Sequence, residues 1–216
     1  MAAPSTGESN AAFVRWRRFV VSGHGHWSKD MATSAPRLLT FEEWEARPET
    51  NRIEELIDGE LIVNPPARWG HQEAVGELLV AMRNHAKAHG DGVVPAPFGI
   101  RAGERTVVEP DLVYFVGERR DFDSRTHTTR TPPDLVVEVL SPSNRSHDLL
   151  RKRRIFEEHG IREVWFVDWE AGLIEQVSLG DAGRFGPSAM HGAGDTLTST
   201  AVPGLDVDVS TVLGLG

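Results

Sequence analysis

The stretch over residues 134–168, DLVVEVLSPSNRSHDLLRKRRIFEEHGIREVWFVD, constrains the fold of this chain more than any other. Two short apolar runs, 134–140 and 162–168, flank a charged segment, 147–159. Leu149, Lys152 and Phe156 recur in that segment at i, i+3 and i+7, and Gly160 closes it. Strands at both ends with a helix between them make a strand–helix–strand unit, which joins two parallel strands by a crossover. A hairpin, a helix and further strands precede it, so the expected fold is α/β, with a mixed central β-sheet flanked by helices.

One residue disturbs this pattern. Glu138 stands among Leu135, Val136, Val137, Val139 and Leu140, and a carboxylate in an apolar interior is costly without a partner. Residues two apart on a strand share a face, so Asp134, Val136, Glu138 and Leu140 point one way and Leu135, Val137 and Val139 the other. An arginine salt bridge is one way to hold Glu138. A second acidic position suggests another. In the run VVEPDLVYF over 107–115, Asp111 follows Pro110 at the head of another apolar strand. Two neighbouring strands, each with one inward carboxylate, can hold one Mg²⁺, which prefers oxygen ligands and keeps several waters. Lys152 falls on the apolar stripe of the following helix. Its ammonium either snorkels to water or turns back over the strand toward Glu138.

The rest of the chain reads as follows. Thr40-Phe-Glu-Glu43 resembles a capping box opening a helix through Arg47. IEELI and ELIV around Asp58-Gly59 predict a hairpin over 52–63. Ala74, Val75, Leu78, Leu79, Met82 and Ala86 predict a helix over 70–89, closed by Gly90. Strands are expected at 93–100 and 106–116 with a turn at Ala102-Gly103, a loop at 117–133, and a strand at 173–179 that returns along 162–168. A short amphipathic piece, 205–213, ends the chain. Residues 1–35 are rich in Ala, Ser and Gly. They read as an N-terminal extension, disordered or lying ahead of an alternative start at Met31, and 36–216 as one domain.

Composition narrows the function. There is no cysteine among the 216 residues, which excludes disulfides and thiolate metal sites. No run approaches the roughly 20 apolar residues of a membrane span, and the N-terminus lacks a signal-peptide core, so a cytoplasmic protein is expected. The formal net charge is −9, which argues against nonspecific coating of nucleic acid. The segment 145–154 nevertheless holds Arg145, Arg151, Lys152, Arg153 and Arg154 against Asp148 alone.

Together these residues resemble the PD-(D/E)xK nuclease superfamily, with Leu140 where that pattern expects lysine. More closely the chain is similar to the Uma-two family of restriction-endonuclease-like proteins. The similarity rests on IEELIDGELIVNPP (53–66), GHQEAVGELL (70–79), VVEPDLVYF (107–115), the 134–168 stretch and AVPGLDVDVSTVL (201–213). It implies a restriction-endonuclease-like core and a Mg²⁺-dependent endonuclease acting on DNA, with Mn²⁺ as a substitute. It further implies Asp111 and Glu138 as metal ligands, Glu55 as an assisting acid, Lys152 as a lysine migrated to the next helix, and His71 near the site. By spacing alone, Glu54 and Glu55 are equal candidates. Arg145 and Arg151 are candidates for phosphate contact, and a two-fold dimer would suit cutting two strands. Two other readings stand beside this one. The first is a catalytically silent nucleic-acid-binding module on the same fold. The second is a glycosidase-like carboxylate pair, disfavoured by the 7% aromatic content and by a lysine with no task there.

Overall fold

The computed structural model describes residues 37–48, 50, 52–90, 92–117, 127–141 and 147–215. The chain begins with a one-turn helix, α1 (Phe41–Glu45), capped by Thr40 and Glu43 as a reciprocal box. The hairpin β1 (Glu54–Ile57) and β2 (Glu60–Val63) turns at Asp58 and Gly59, both at positive φ (52° and 87°), as a tight Asp-Gly turn requires. Then come α2 (Trp69–His89), ended by Gly90 in the left-handed region, β3 (Gly92–Val93), β4 (Gly99–Gly103), β5 (Thr106–Val108) and β6 (Leu112–Val116). After β7 (Thr128–Thr129) lies the central unit: β8 (Leu135–Val139), α3 (His147–Glu158) and β9 (Glu163–Asp168). The end is β10 (Leu173–Ser178), β11 (Ala189–Gly192), β12 (Thr196–Thr198), β13 (Asp206–Asp208) and α4 (Val209–Val212).

The α/β expectation holds. A six-stranded mixed sheet runs β11-β10-β9-β8-β6-β3, with β8 and β9 parallel through α3. A second sheet, β2-β1-β5-β4-β7, and a small β12-β13 pair complete the described residues. One face of the six-stranded sheet, with Leu112, Leu135, Val137 and Trp165, packs against Leu78 and Met82 of α2 and Val209 of α4. The other face, with Val113, Val136, Val164 and Phe166, meets Ile155 and Phe156 of α3 and Ile57, Ile100 and Val108 of the five-stranded sheet. No described helix is long and apolar enough to cross a membrane.

Two expected strands are each broken. The run 93–100 divides at Pro95 and Pro97, so β3 and β4 belong to different sheets. The run 106–116 divides at Pro110, with β5 in the five-stranded sheet and β6 in the six-stranded one. Proline has no N–H for a ladder. The β4–β5 turn falls at Glu104 and Arg105, outside Ala102 and Gly103, which belong to β4. β11, β12 and β13 were not expected as strands. The extension over 1–35 lies outside the described residues.

Candidate active site

The break at Pro110 creates the site. As the chain leaves one sheet for the other, Asp111 comes to the end of β8, where its Oδ2 accepts the Val139 N–H at 2.8 Å. Glu138, one residue earlier, is on the α3 side of β8 with Val136, as alternation predicts. On α3, Lys152 lies among Leu149, Ile155 and Phe156 and is 7% exposed. Its Nζ donates to Glu138 Oε1 at 2.9 Å and lies 3.0 Å from Glu55 Oε1. So Lys152 turns inward, and the snorkelling reading does not hold.

The fourth element is β1. Glu55 shares a face with Ile57, which packs in the α3-side core, while Leu56 faces Phe41 and Val107. This decides between the two glutamates: Glu55 is fully buried, whereas Glu54 lies partly exposed beside Arg47 at 3.2 Å. Glu55 Oε1 also accepts the Glu109 N–H at 2.8 Å and its Oε2 the Asn64 amide at 3.1 Å. Its desolvation is thus offset by three donors from three segments.

The cluster sets three carboxylates against one ammonium. Burial raises Glu138 most, and the Asp111 and Glu55 carboxylates raise it further; Lys152 opposes them and loses, so the carboxyl is pushed up to about 8. Glu109 beside them is also raised, by burial first and then by Glu55. His71, in the first turn of α2, places Nε2 3.4 Å from Asp111 Oδ2, while its buried Nδ1 has no partner among the described residues.

The donor set suits a hard divalent cation. Asp111 commits Oδ2 to Val139 and Glu138 commits Oε1 to Lys152, and no hydrogen bond from a described residue goes to Asp111 Oδ1 or Glu138 Oε2. Among the described residues no group of three or more His, Asp or Glu side chains is arranged to hold an ion. Mg²⁺ does not need such a cage, since it binds through one or two carboxylates and keeps its waters.

Asp111, Glu138, Lys152 and His71 line one cleft of about 890 Å³, with Glu109, Asn64 and an apolar wall that includes Trp169. Glu55 sits behind it. Arg151 is elsewhere: its guanidinium binds the hairpin turn, donating to Ile57 O at 2.8 Å, Asp58 Oδ2 at 3.1 Å and Glu60 Oε2 at 3.1 Å. Arg145 lies outside the described residues. Sequence reasoning passed over Asn64 and Glu109. Both sit beside residues it did select, Asn64 next to Val63 at the end of the hairpin and Glu109 two before Asp111.

The comparisons with known proteins agree with this architecture. A crystal structure from Anabaena variabilis ATCC 29413, described as "a putative nuclease belonging to DUF820", matches with a TM-score of 0.71 at 16% identity, covering 82% of this chain and 98% of that one. At that identity the likeness carries the fold alone, which is restriction-endonuclease-like. No curated protein matches. The Uma2 family model, described as "Putative restriction endonuclease", matches residues 38–210, a span that includes Glu55, His71, Asp111, Glu138 and Lys152 and leaves out the first 37 residues. On that match the chain belongs to the Uma2 family.

Proposed function

We propose that this chain is a Mg²⁺-dependent endonuclease that hydrolyses DNA phosphodiester bonds. The observation that carries this reading is Lys152 held between Glu138 and Glu55 in a cleft that also presents Asp111. A structural ion pair would need no third carboxylate. Three acids around one lysine leave an excess of buried negative charge, and a divalent cation is the partner that would offset it.

Asp111 and Glu138 would hold the ion, which supplies Lewis acidity and a nucleophilic water. Glu55 fixes the lysine: anchored by the Glu109 N–H and the Asn64 amide, it cannot follow Nζ outward. Lys152 then presents a preorganised donor beside Glu138, able to orient the attacking water and to stabilise charge growing on the phosphoryl oxygens. His71 would steady Asp111 through Nε2.

The test is cleavage by the purified full chain of supercoiled, linear double-stranded and single-stranded DNA, with Mg²⁺ or Mn²⁺. Nicking that is abolished by EDTA and by Asp111→Asn is expected. Failure to cut any of these substrates with either ion, by a protein shown to be folded, overturns the reading.

A further inference from the structure

Among the described residues, the cleft is poor in free positive charge and rich in apolar surface. Its cationic lining is Lys152, Arg52, Arg68 and, when protonated, His71. Lys152 is bound by two carboxylates, and Arg68 is paired with Glu170 at 3.2 Å. Glu109, Asp111 and Glu138 face the same space, and the chain carries −9 overall. A continuous duplex brings two rows of phosphates, and affinity for them rests on many Lys and Arg contacts. The described residues of this cleft do not supply such a row.

What they supply is a surface for bases. Ile53 and Val63, at the open end of the hairpin, both line the cleft and are 39% and 43% exposed. Pro65 and Pro66 continue the wall. Trp69, the first residue of α2, follows the cleft-lining Arg68 and stands one helical turn before the cleft-lining Gln72. It is 80% exposed, the most of any large apolar side chain described. An indole left 80% in water gains little from folding, and its face stays open to a partner. Aromatic faces flanked by arginine suit unpaired bases, whichever base is presented.

Resting on the nuclease reading above, we propose that the substrate is DNA unpaired at the cut, with a base stacked on Trp69 against the Ile53–Val63 rim and the scissile phosphate at the carboxylate end. Arg52 would serve the backbone or stack on a base. Flaps, frayed ends or single strands would be bound in preference to continuous duplex.

The experiment is binding of the full chain, in Ca²⁺, to three labelled probes by fluorescence anisotropy: a short single strand, the same strand annealed to its complement, and an abasic strand of equal length. Base stacking is worth about 1–3 kcal/mol per base, so Trp69→Ala should weaken the single-strand complex roughly tenfold and leave the abasic complex unchanged, while Trp69→Phe should restore most of the loss. The side chain is exposed, so the variants should keep the wild-type unfolding midpoint. Equal binding of wild type and Trp69→Ala, or equal binding of abasic and normal strands, overturns the inference. If paired DNA is cut and Trp69→Ala is silent, only the stacking proposal falls. If no DNA of any form is bound or cut, the nuclease reading falls with it.

Discussion

Lys152 Nζ lies 2.9 Å from Glu138 Oε1, across 14 residues of chain and from helix to strand. It is equally close to Glu55, at 3.0 Å, so one ammonium serves two buried acids. Removing one partner from a buried ion pair costs about 3–5 kcal/mol, because the charge left behind has lost its partner. Lys152→Met keeps the stem and removes the charge. Its urea unfolding free energy in EDTA is expected to fall by about 3 kcal/mol. Adding Glu55→Gln should recover part of that loss, since the second substitution removes the carboxylate that Lys152→Met leaves stranded. A Lys152→Met protein as stable as wild type would show that the cluster does not hold these elements together.

The raised Glu138 carboxyl makes stability depend on pH in a definite direction. Its value of about 8 in the folded chain lies above the ordinary 4.5. Between those two values the folded state therefore binds the more protons, and protonation favours folding. The contribution is complete below about pH 4.5 and is lost as pH rises toward about 8. Without metal, wild type should lose stability relative to Glu138→Gln across that window. Unfolding midpoints of the two proteins from pH 5 to 8.5 are the check, and parallel curves would sink the idea.

The elements could be read from the sequence because each depends on nearby residues. The Thr40–Glu43 box, the Asp58-Gly59 turn and the 3.6-residue spacing of α2 are local signals, and all three elements form. Alternation put Glu138 on one face with Val136, and helical spacing put Lys152 on the apolar stripe of α3, but that the two side chains meet depends on how α3 packs over β8. The two proline breaks were written in Pro97 and Pro110, but their consequence, a change of sheet, depends on long-range pairing that periodicity does not encode. The choice of Glu55 over Glu54 was hidden for the same reason, since both neighbours of β1 decide which face is inside. Glu163 was illegible: within EVWFVD it looked like the first polar residue of a strand, yet it is fully buried.

Metal and proton should compete at Glu138. A carboxyl raised to about 8 is largely protonated at pH 7, and a metal ligand must give its proton up. Binding of Mn²⁺ should therefore release close to one proton at pH 7 and tighten as pH rises to 8. Calorimetric titrations in buffers of different ionisation enthalpy measure this release directly. Glu138→Gln should abolish it; release that persists in this variant would assign the proton to another group.

Glu163 separates fold from site. It accepts from Trp165 Nε1 and Gln176 Nε2, both at 2.6 Å, and from Ser199 Oγ, Thr200 N and Oγ1, and Ala201 N at 2.6–2.9 Å. These bonds tie the loop after β12 to β9. Glu163→Gln turns one oxygen into a donor facing donors, and each buried polar group left unmatched costs about 1–3 kcal/mol. A loss of about 3 kcal/mol in urea is expected. DNA cleavage per folded molecule at low temperature should be unchanged, because Glu163 does not line the cleft. A stable but inactive variant would contradict both halves.

Two glycines on α2 should respond to alanine with opposite signs. Gly→Ala inside a helix is intrinsically favourable by up to about 1 kcal/mol. At Gly76 a new Cβ would meet nothing within 4 Å, so Gly76→Ala should stabilise the protein by close to that amount. At Gly70 the new Cβ would sit 2.5 Å from Cζ3 and 3.0 Å from Cδ2 of Trp169. An indole cannot yield there without moving the cleft wall, and overpacking costs about 1–3 kcal/mol. The clash outweighs propensity, so Gly70→Ala should destabilise, shift tryptophan emission and reduce cleavage through the neighbouring His71. Equal and favourable effects at both positions would mean that Trp169 does not rest on the first turn of α2.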